Sequence, residues 1–534
     1  MVSEEMISRR GLIGYGLAGA FGLGAGLPAN SAPAPDDGRT LIVAQDPEPL
    51  TLTSAASIDA GTLAVSGKIF DRLFVLDLDT KLTPQLATSA EFSADGLALT
   101  LRLRPGVKWH DGRPFGSADV AYSILEVWKK FHARGFLSYA NVEAVDAPDP
   151  LTAVLRLKRP APYILHSLAQ GESQVVPRRL YEGAPVLTNP VNLAPIGTGP
   201  FRFVRWERGG HIELERNPDY WDSPRPHFDK VLFRFLPDGA AVVAALETKA
   251  IHLASGSNTP RADLERLRKN AALSVKVFGP TFSPVMEGFA FNLDRPALQD
   301  VRVRQAFAHA IDRNFILKNI WQDVGTLADS PVAPQFVDFY TSDLPKYPFD
   351  LARAESLLEE AGLKRDASGV RLTLTVDVMP PGTSRVRTAQ FIRGTLAKIG
   401  VKLELRSQSL GEYLHRVFTR RDFDAIVYGT GTDIDPALGI QRFYWSKTFQ
   451  PGVPFTNATH YWTPEVDRLL ETAQVELDAN KRRQLYFDVQ RAVQRDLPCI
   501  PILFPSSVAL SDRRLIDFAT VRADNFAKAR FATA

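Results

Sequence analysis

A chain of 534 residues exceeds what one hydrophobic core fills, so two or three domains are expected. Lys+Arg number 63 against 60 Asp+Glu, a formal charge of +3, which excludes the concentrated basic character that a nucleic-acid partner demands. One cysteine, Cys499, excludes an intrachain disulfide, and its apolar run Cys499-Ile-Pro-Ile-Leu-Phe504 predicts a small buried side chain.

The chain starts with an export pattern. Arg9-Arg10 precede an uncharged run from Gly11 to Leu27, which breaks at Pro28 into the small residues of Ala29-Asn-Ser-Ala-Pro-Ala34. That is the order of a cleavable signal, and Ser8-Arg-Arg-Gly-Leu-Ile13 is similar to a twin-arginine signal, whose cargo crosses the membrane folded. Gly14, Gly16, Gly19, Gly22, Gly24 and Gly26 make the run a poor membrane-spanning helix. Glu4 and Glu5 sit badly in a basic leader, which points to a translation start at Met6. No cysteine follows the run to carry a lipid anchor, so a periplasmic location is expected.

In the mature chain, Leu97, Leu99, Leu101 and Leu103 alternate with smaller or polar residues and predict a half-buried strand, paired with the preceding segment through an Asp95-Gly96 turn. Ser117 is placed to open a helix over 118–130 with the apolar face Val120, Ile124, Val127 and Trp128. Asp350 caps the next legible helix, with face Leu351, Ala354, Leu357, Leu358 and Ala361, stopped by Gly362. Leu372 to Val378 alternates as a strand, 385–399 reads as a helix ended by Gly400, and Val401, Leu403 and Leu405 alternate again. Ser409 caps a helix carrying Leu410, Tyr413, Leu414 and Val417, and 423–428 completes a strand–helix–strand–helix–strand run, which predicts a parallel sheet.

Ligands of such sheets bind beyond the carboxyl ends of the strands. The loops 379–384, 407–409 and 429–436 meet there, with Arg387 just after the first and Asp433 and Asp435 in the third. A cation and two anions on one edge match the two ends of a zwitterion. Phe443, Tyr444, Trp445, Tyr461 and Trp462 follow and offer faces for stacking; Glu48, after the first strand, is a further cleft candidate.

Five groups of motifs resemble the solute-binding protein family of ABC importers that includes dipeptide-, oligopeptide- and nickel-binding proteins (family 5). They are Leu82-Thr-Pro-Gln-Leu-Ala87 with Leu101-Arg-Leu-Arg-Pro-Gly-Val-Lys-Trp-His-Asp-Gly112 and Asp119-Val-Ala-Tyr-Ser123; Ile196-Gly-Thr-Gly-Pro-Phe-Arg-Phe203 with Leu214-Glu-Arg-Asn-Pro-Asp-Tyr-Trp221; Asp300-Val-Arg-Val-Arg-Gln-Ala306 with Ala310-Ile-Asp-Arg313; Asp422-Phe-Asp-Ala425; and Leu497-Pro-Cys-Ile-Pro501. The resemblance runs from about Leu41 to the C-terminus and implies an α/β, type II-like periplasmic binding fold: two lobes closing on a ligand cleft, with an additional third domain. The expected division is 1–38 signal; 39–66, 190–285 and 487–534 first lobe; 67–189 the extra domain; and 286–486 second lobe.

The implied function is capture of a peptide or peptide-like solute and delivery to a membrane permease, by a monomer without cofactor, metal or nucleic acid. Arg387 matches the arginine that holds the ligand carboxylate in the peptide binders. Aligned on Asp435-Pro436, their amine-holding aspartate falls on Thr432, with Asp433 one residue away, which brings modified peptides, opine-like conjugates, sugar derivatives and metal chelates into range. A periplasmic hydrolase is the contrasting class. The chain carries no G-x-S-x-G, H-E-x-x-H or P-loop; Gly429-x-Gly431 lacks the rest of a dinucleotide loop; and the nine histidines lack metal-type spacing.

Overall fold

A computed structural model describes residues 38–57, 59–132, 134–255, 263–279, 285–380, 382–519 and 524–532. The export pattern lies outside them. Among the described residues no helix is long and apolar enough to cross a membrane.

Three sheets organise the chain. The first has seven strands in the order Leu273–Phe278, Ser507–Asp512, Leu253–Ser255, Thr40–Gln45, Lys230–Phe235, His211–Arg216, Phe201–Glu207. Thr40–Gln45 is central and runs parallel to both neighbours. Leu41 and Val43 point to one face and join Ile212, Leu214, Val231 and Phe233 in a buried cluster. The second sheet has six strands in the order Gly325–Leu327, Cys499–Pro505, Val285–Phe291, Ala425–Gly431, Leu372–Val378, Val401–Ser407. The third is a four-stranded antiparallel sheet, Ala87–Phe92, Ala98–Leu103, Thr152–Leu157, Val142–Asp149.

Three of the four alternating leucines form the strand: Leu99, Leu101 and Leu103 are buried in Ala98–Leu103, whereas Leu97 is exposed just before it, where Gly96 closes the turn at φ +68°. The helix that follows departs from expectation. Its cap is Gly116 rather than Ser117, because the Ser117 hydroxyl donates to the Asp149 carbonyl while the Asp119 carboxylate accepts from the Gly116 amide. After Tyr122 it widens into a π-turn over Ser123–Trp128, with Ser123 bonded through its hydroxyl to Asp119 and Val176. Val120, Ile124, Val127 and Trp128 are buried all the same.

The boundary expected at residue 487 moves. Cys499–Pro505 lies in the second sheet between Val285–Phe291 and Gly325–Leu327, and only after Ser506 does the chain enter the first sheet as Ser507–Asp512. The run Cys499 to Phe504 is buried on both faces, which suits an interior strand and explains the lack of alternation.

Several motif residues are packing devices. A Cβ at Gly197 would stand 1.9 Å from the Ile69 carbonyl oxygen, and one at Gly199 2.6 Å from the Ile69 carbonyl carbon. His110 accepts from the Gly197 amide and bonds the Gly199 carbonyl at 3.0 Å; burial pushes its pKa down to about 4, so the ring is neutral. Trp221 donates to Asp71 at 2.8 Å under the Arg104 guanidinium, and Asp71 also receives Gln85, Tyr220 and Asn525. These contacts join the start of the 67–189 segment to the first sheet and to the C-terminal segment.

Candidate ligand site at the carboxyl edge of the second sheet

Leu372–Val378 pairs in parallel with Val401–Ser407 on one side and Ala425–Gly431 on the other, so three carboxyl ends point the same way. The first connecting helix, Thr383–Lys398, starts before the expected Arg385, and the second, Leu410–Leu414, starts where expected. Ser409 accepts from the Glu412 amide, and Gly400, at φ +81°, ends the preceding helix, Thr383–Lys398. The third strand begins at Ala425 rather than Phe423, because the Phe423 carbonyl is taken by Asn292 and Arg295. It extends to Gly431, held by antiparallel pairing with Val285–Phe291.

At the first strand end the arginine that reaches the edge is Arg385, buried and bonded by both ends of its fork to Glu287 at 2.8 and 2.6 Å, with a third bond to the Met379 carbonyl. Burial alone would lower its pKa; the Glu287 carboxylate outweighs burial and raises it. Arg387 lies exposed two residues further along the helix. Beside the second strand end, Asp377 is fully buried and receives Arg406 and Gln408.

The third loop is the most heavily bonded. Asp433, at φ +52°, accepts from Arg134 at 2.9 Å and from Gln170 at 2.7 Å. Asp435 is 0 % exposed and takes both ends of the Arg482 fork at 2.9 and 2.7 Å, with His166 at 3.1 Å. Burial acts to raise the Asp435 pKa, but the charge of Arg482, with His166, holds it well below the usual carboxylate range. Thr432 is buried. Gly439 lies against it so closely that a Cβ there would fall 1.4 Å from the Thr432 carbonyl oxygen.

Gly429 acquires a reason here. A Cβ on Gly429 would come within 2.6 Å of the Arg385 Nη2 and 2.8 Å of the Glu287 Oε1; one on Gly431 would touch the Arg442 Nη2 at 3.4 Å. Gly429 lets the Arg385 side chain lie across the strand end, while at Gly431 the contact would be an ordinary one. Arg442 donates Nη2 to the Gly431 carbonyl at 2.8 Å, and its buried Nε has no hydrogen-bond partner. Burial first, then the neighbouring positive charge of Arg134, lowers its pKa to about 10.

The aromatics divide. Tyr444 is buried edge-on to Tyr461, and Tyr461 donates to Asp496. Phe443 is buried under the Arg442 guanidinium. Trp445 is half-buried with its indole N–H on Glu471, and Trp462 is 58 % exposed. Glu48 bonds the Trp206 indole and the Gly209 amide within the first-sheet region. The structure thus gathers Thr432, Asp433 and Asp435 with Phe443 and Tyr444 around one strand end, while Arg387 and Glu48 take other surroundings. Arg385, Glu287, Arg134, Gln170, Arg442 and Arg482 were not singled out from sequence; Gly429 was the available signal for the first two.

The sequence profile of bacterial extracellular solute-binding proteins, family 5 (middle region), matches residues 81–451. The chain belongs to that family. It is 26% identical over 512 residues to the dipeptide-binding protein of Escherichia coli K12, covering 91% of this chain and 93% of that one. Among solved structures it is similar to the periplasmic binding protein DppA of Helicobacter pylori in complex with the peptide STSA, with TM-score 0.77, 25% identity and coverage of 92% and 98%. It is also similar to NikZ of Campylobacter jejuni in complex with Ni(L-His), with TM-score 0.78, 25% identity and coverage of 91% and 97%. These neighbours carry the type II periplasmic binding fold, so the α/β two-lobe expectation holds for this family member. Members of the family are solute-binding proteins rather than enzymes.

Proposed function

We propose that this chain captures a short peptide or peptide-like solute in the periplasm by closing its two lobes, and hands it unchanged to a membrane permease. The observation that carries the reading is the carboxyl edge of the second sheet, where three parallel strands end together and the third end gathers glycines, arginines and aromatic rings. The peptide class is supported by the E. coli dipeptide-binding relative and the peptide-bound H. pylori neighbour. Export through a cleavable twin-arginine signal, and the division into a first lobe, an inserted domain and a second lobe, belong to the same proposal. Within it Thr432, Asp433 and Asp435 form the ligand-side loop, Tyr444 backs it and Trp445 stands at its periphery, while Arg387 on its helix and Glu48 beside the first sheet are proposed to meet the solute only when the lobes close.

Capture by closure requires that the solute bind the closed arrangement better than the open one; equal affinity for both would shift nothing. A metal-chelate solute, suggested by the NikZ likeness, would bring its own donors: among the described residues no group of three or more His, Cys, Asp or Glu side chains is placed to hold a metal.

Thermal melts against a panel of defined di- to pentapeptides check the reading. At least one peptide is expected to raise the midpoint, with stabilisation of about 2.7 kcal/mol at a hundred times its Kd. A panel without any shift, alongside stabilisation by a non-peptide solute, would overturn the peptide class.

A further inference from the structure

We infer that Arg442 is the ligand's anion-binding residue: its guanidinium, at the carboxyl end of Ala425–Gly431, receives an acidic group of the bound solute. The inference rests on the peptide-like reading above and names the group that recognises the solute's acidic end.

Most charges at this edge are already paired. Asp433 is engaged by Arg134 and Gln170, and Asp435 by Arg482 and His166. Arg385 spends its fork on Glu287 and its remaining nitrogen on the Met379 carbonyl. Each of those charges has a counter-charge at hydrogen-bond distance. Arg442 differs. Its one direct acceptor is neutral, the Gly431 carbonyl, and its Nε is buried without a partner. That nitrogen is enclosed by protein, so an arriving anion meets the rest of the guanidinium, whose charge no carboxylate bonds. Asp433 and Glu172 act on Arg442 through their fields without bonding it, while Arg134 opposes them. An anion would therefore find a cation with donors to spare. Guanidinium geometry favours a carboxylate, which accepts two parallel N–H bonds.

Position supports the same assignment. The chain leaves Leu372–Val378 for a strand on one side, Val401–Ser407, and returns to the other side as Ala425–Gly431. Ligands bind where successive crossovers part in this way. Arg442 stands over the last residue of the returning strand, bonded to the Gly431 carbonyl. Its guanidinium also lies over the Phe443 ring, with 4.7 Å between guanidinium carbon and ring centre.

The test uses the full mature chain as wild type, Arg442→Met and Arg442→Lys, with circular dichroism and melting midpoints confirming that each variant folds. Each is incubated with a tryptone digest, freed of unbound solute, denatured, and the released peptides are quantified by mass spectrometry. The wild type is expected to retain a set of peptides, and to bind their synthetic free acids at least tenfold more tightly than their C-terminal amides. Arg442→Met is expected to lose that discrimination and at least tenfold in retention, and Arg442→Lys to keep part of it. Retention and free-acid preference unchanged in a folded Arg442→Met would overturn the anion assignment while leaving the peptide class standing. A wild type that retains nothing from the digest would overturn the peptide class and, with it, this inference.

Discussion

Asp435→Ala is expected to lower the unfolding free energy by ~3–5 kcal/mol, the range for removing one partner of a buried ion pair. Arg482, 7 % exposed along its side chain, would keep its charge with no anion to bond, and His166 would lose its partner as well. Urea denaturation at pH 7 measures the loss. The double variant Asp435→Ala, Arg482→Met is expected to recover part of it, because the orphaned charge is then gone; no recovery would mean the pair is not the cause.

The pH dependence follows from the same pair. The folded-state pKa of Asp435 is depressed, so the unfolded chain binds the proton more readily. Its contribution is complete above the ordinary carboxylate value of about 4 and is lost as pH falls from there toward the folded-state value. Wild-type stability is therefore expected to decline faster than that of the double variant below pH 4.

Gly439→Ala is expected to be at least as disruptive to function. The added methyl would sit 1.4 Å from the Thr432 carbonyl oxygen and 2.2 Å from its carbon. Those atoms are backbone in a loop already pinned by Asp433 and Asp435, so no side chain can swing away. The cost is expected to exceed the ~1–3 kcal/mol of an overpacked core, and solute retention to fall at least tenfold. Gly411→Ala is the control: it lies in the helix Leu410–Leu414 with nothing within 4 Å of the new Cβ. It is expected to stay within about 1 kcal/mol of wild type, on the stabilising side. Parallel thermal melts and peptide-retention assays of the two variants separate a clash from a general intolerance of alanine.

Much of the second sheet and its helices was legible because their signals are local. Asp350 and Ser409 accept from amides two or three residues into their helices, and Gly362 and Gly400 adopt the left-handed backbone that ends a helix. The alternation in Leu372–Val378 follows from one strand's own geometry. The charges were another matter. Arg385 and Arg387 are equally plausible in a linear reading, and what separates them is Glu287, 98 residues away, lying beside the one and not the other. Asp433 and Asp435 announced two anions at the edge, but their partners Arg134 and Arg482 arrive from sequence separations of 299 and 47 residues. An ion pair is a tertiary event; a sequence shows the charge without showing whether it is already spent. The boundary near residue 487 failed for a related reason, since an apolar run such as Cys499 to Phe504 fits an interior strand of either sheet.

The account stands on the claim that this chain holds a peptide-like solute and leaves it intact. Its most direct test is the mass spectrum of small molecules released by denaturing the protein after purification from its native host. Intact short peptides or amino-acid conjugates bearing a free carboxylate, released in near-stoichiometric amount, are the result predicted. Cleavage fragments of a supplied solute, or bound solutes without any acidic group, would contradict it.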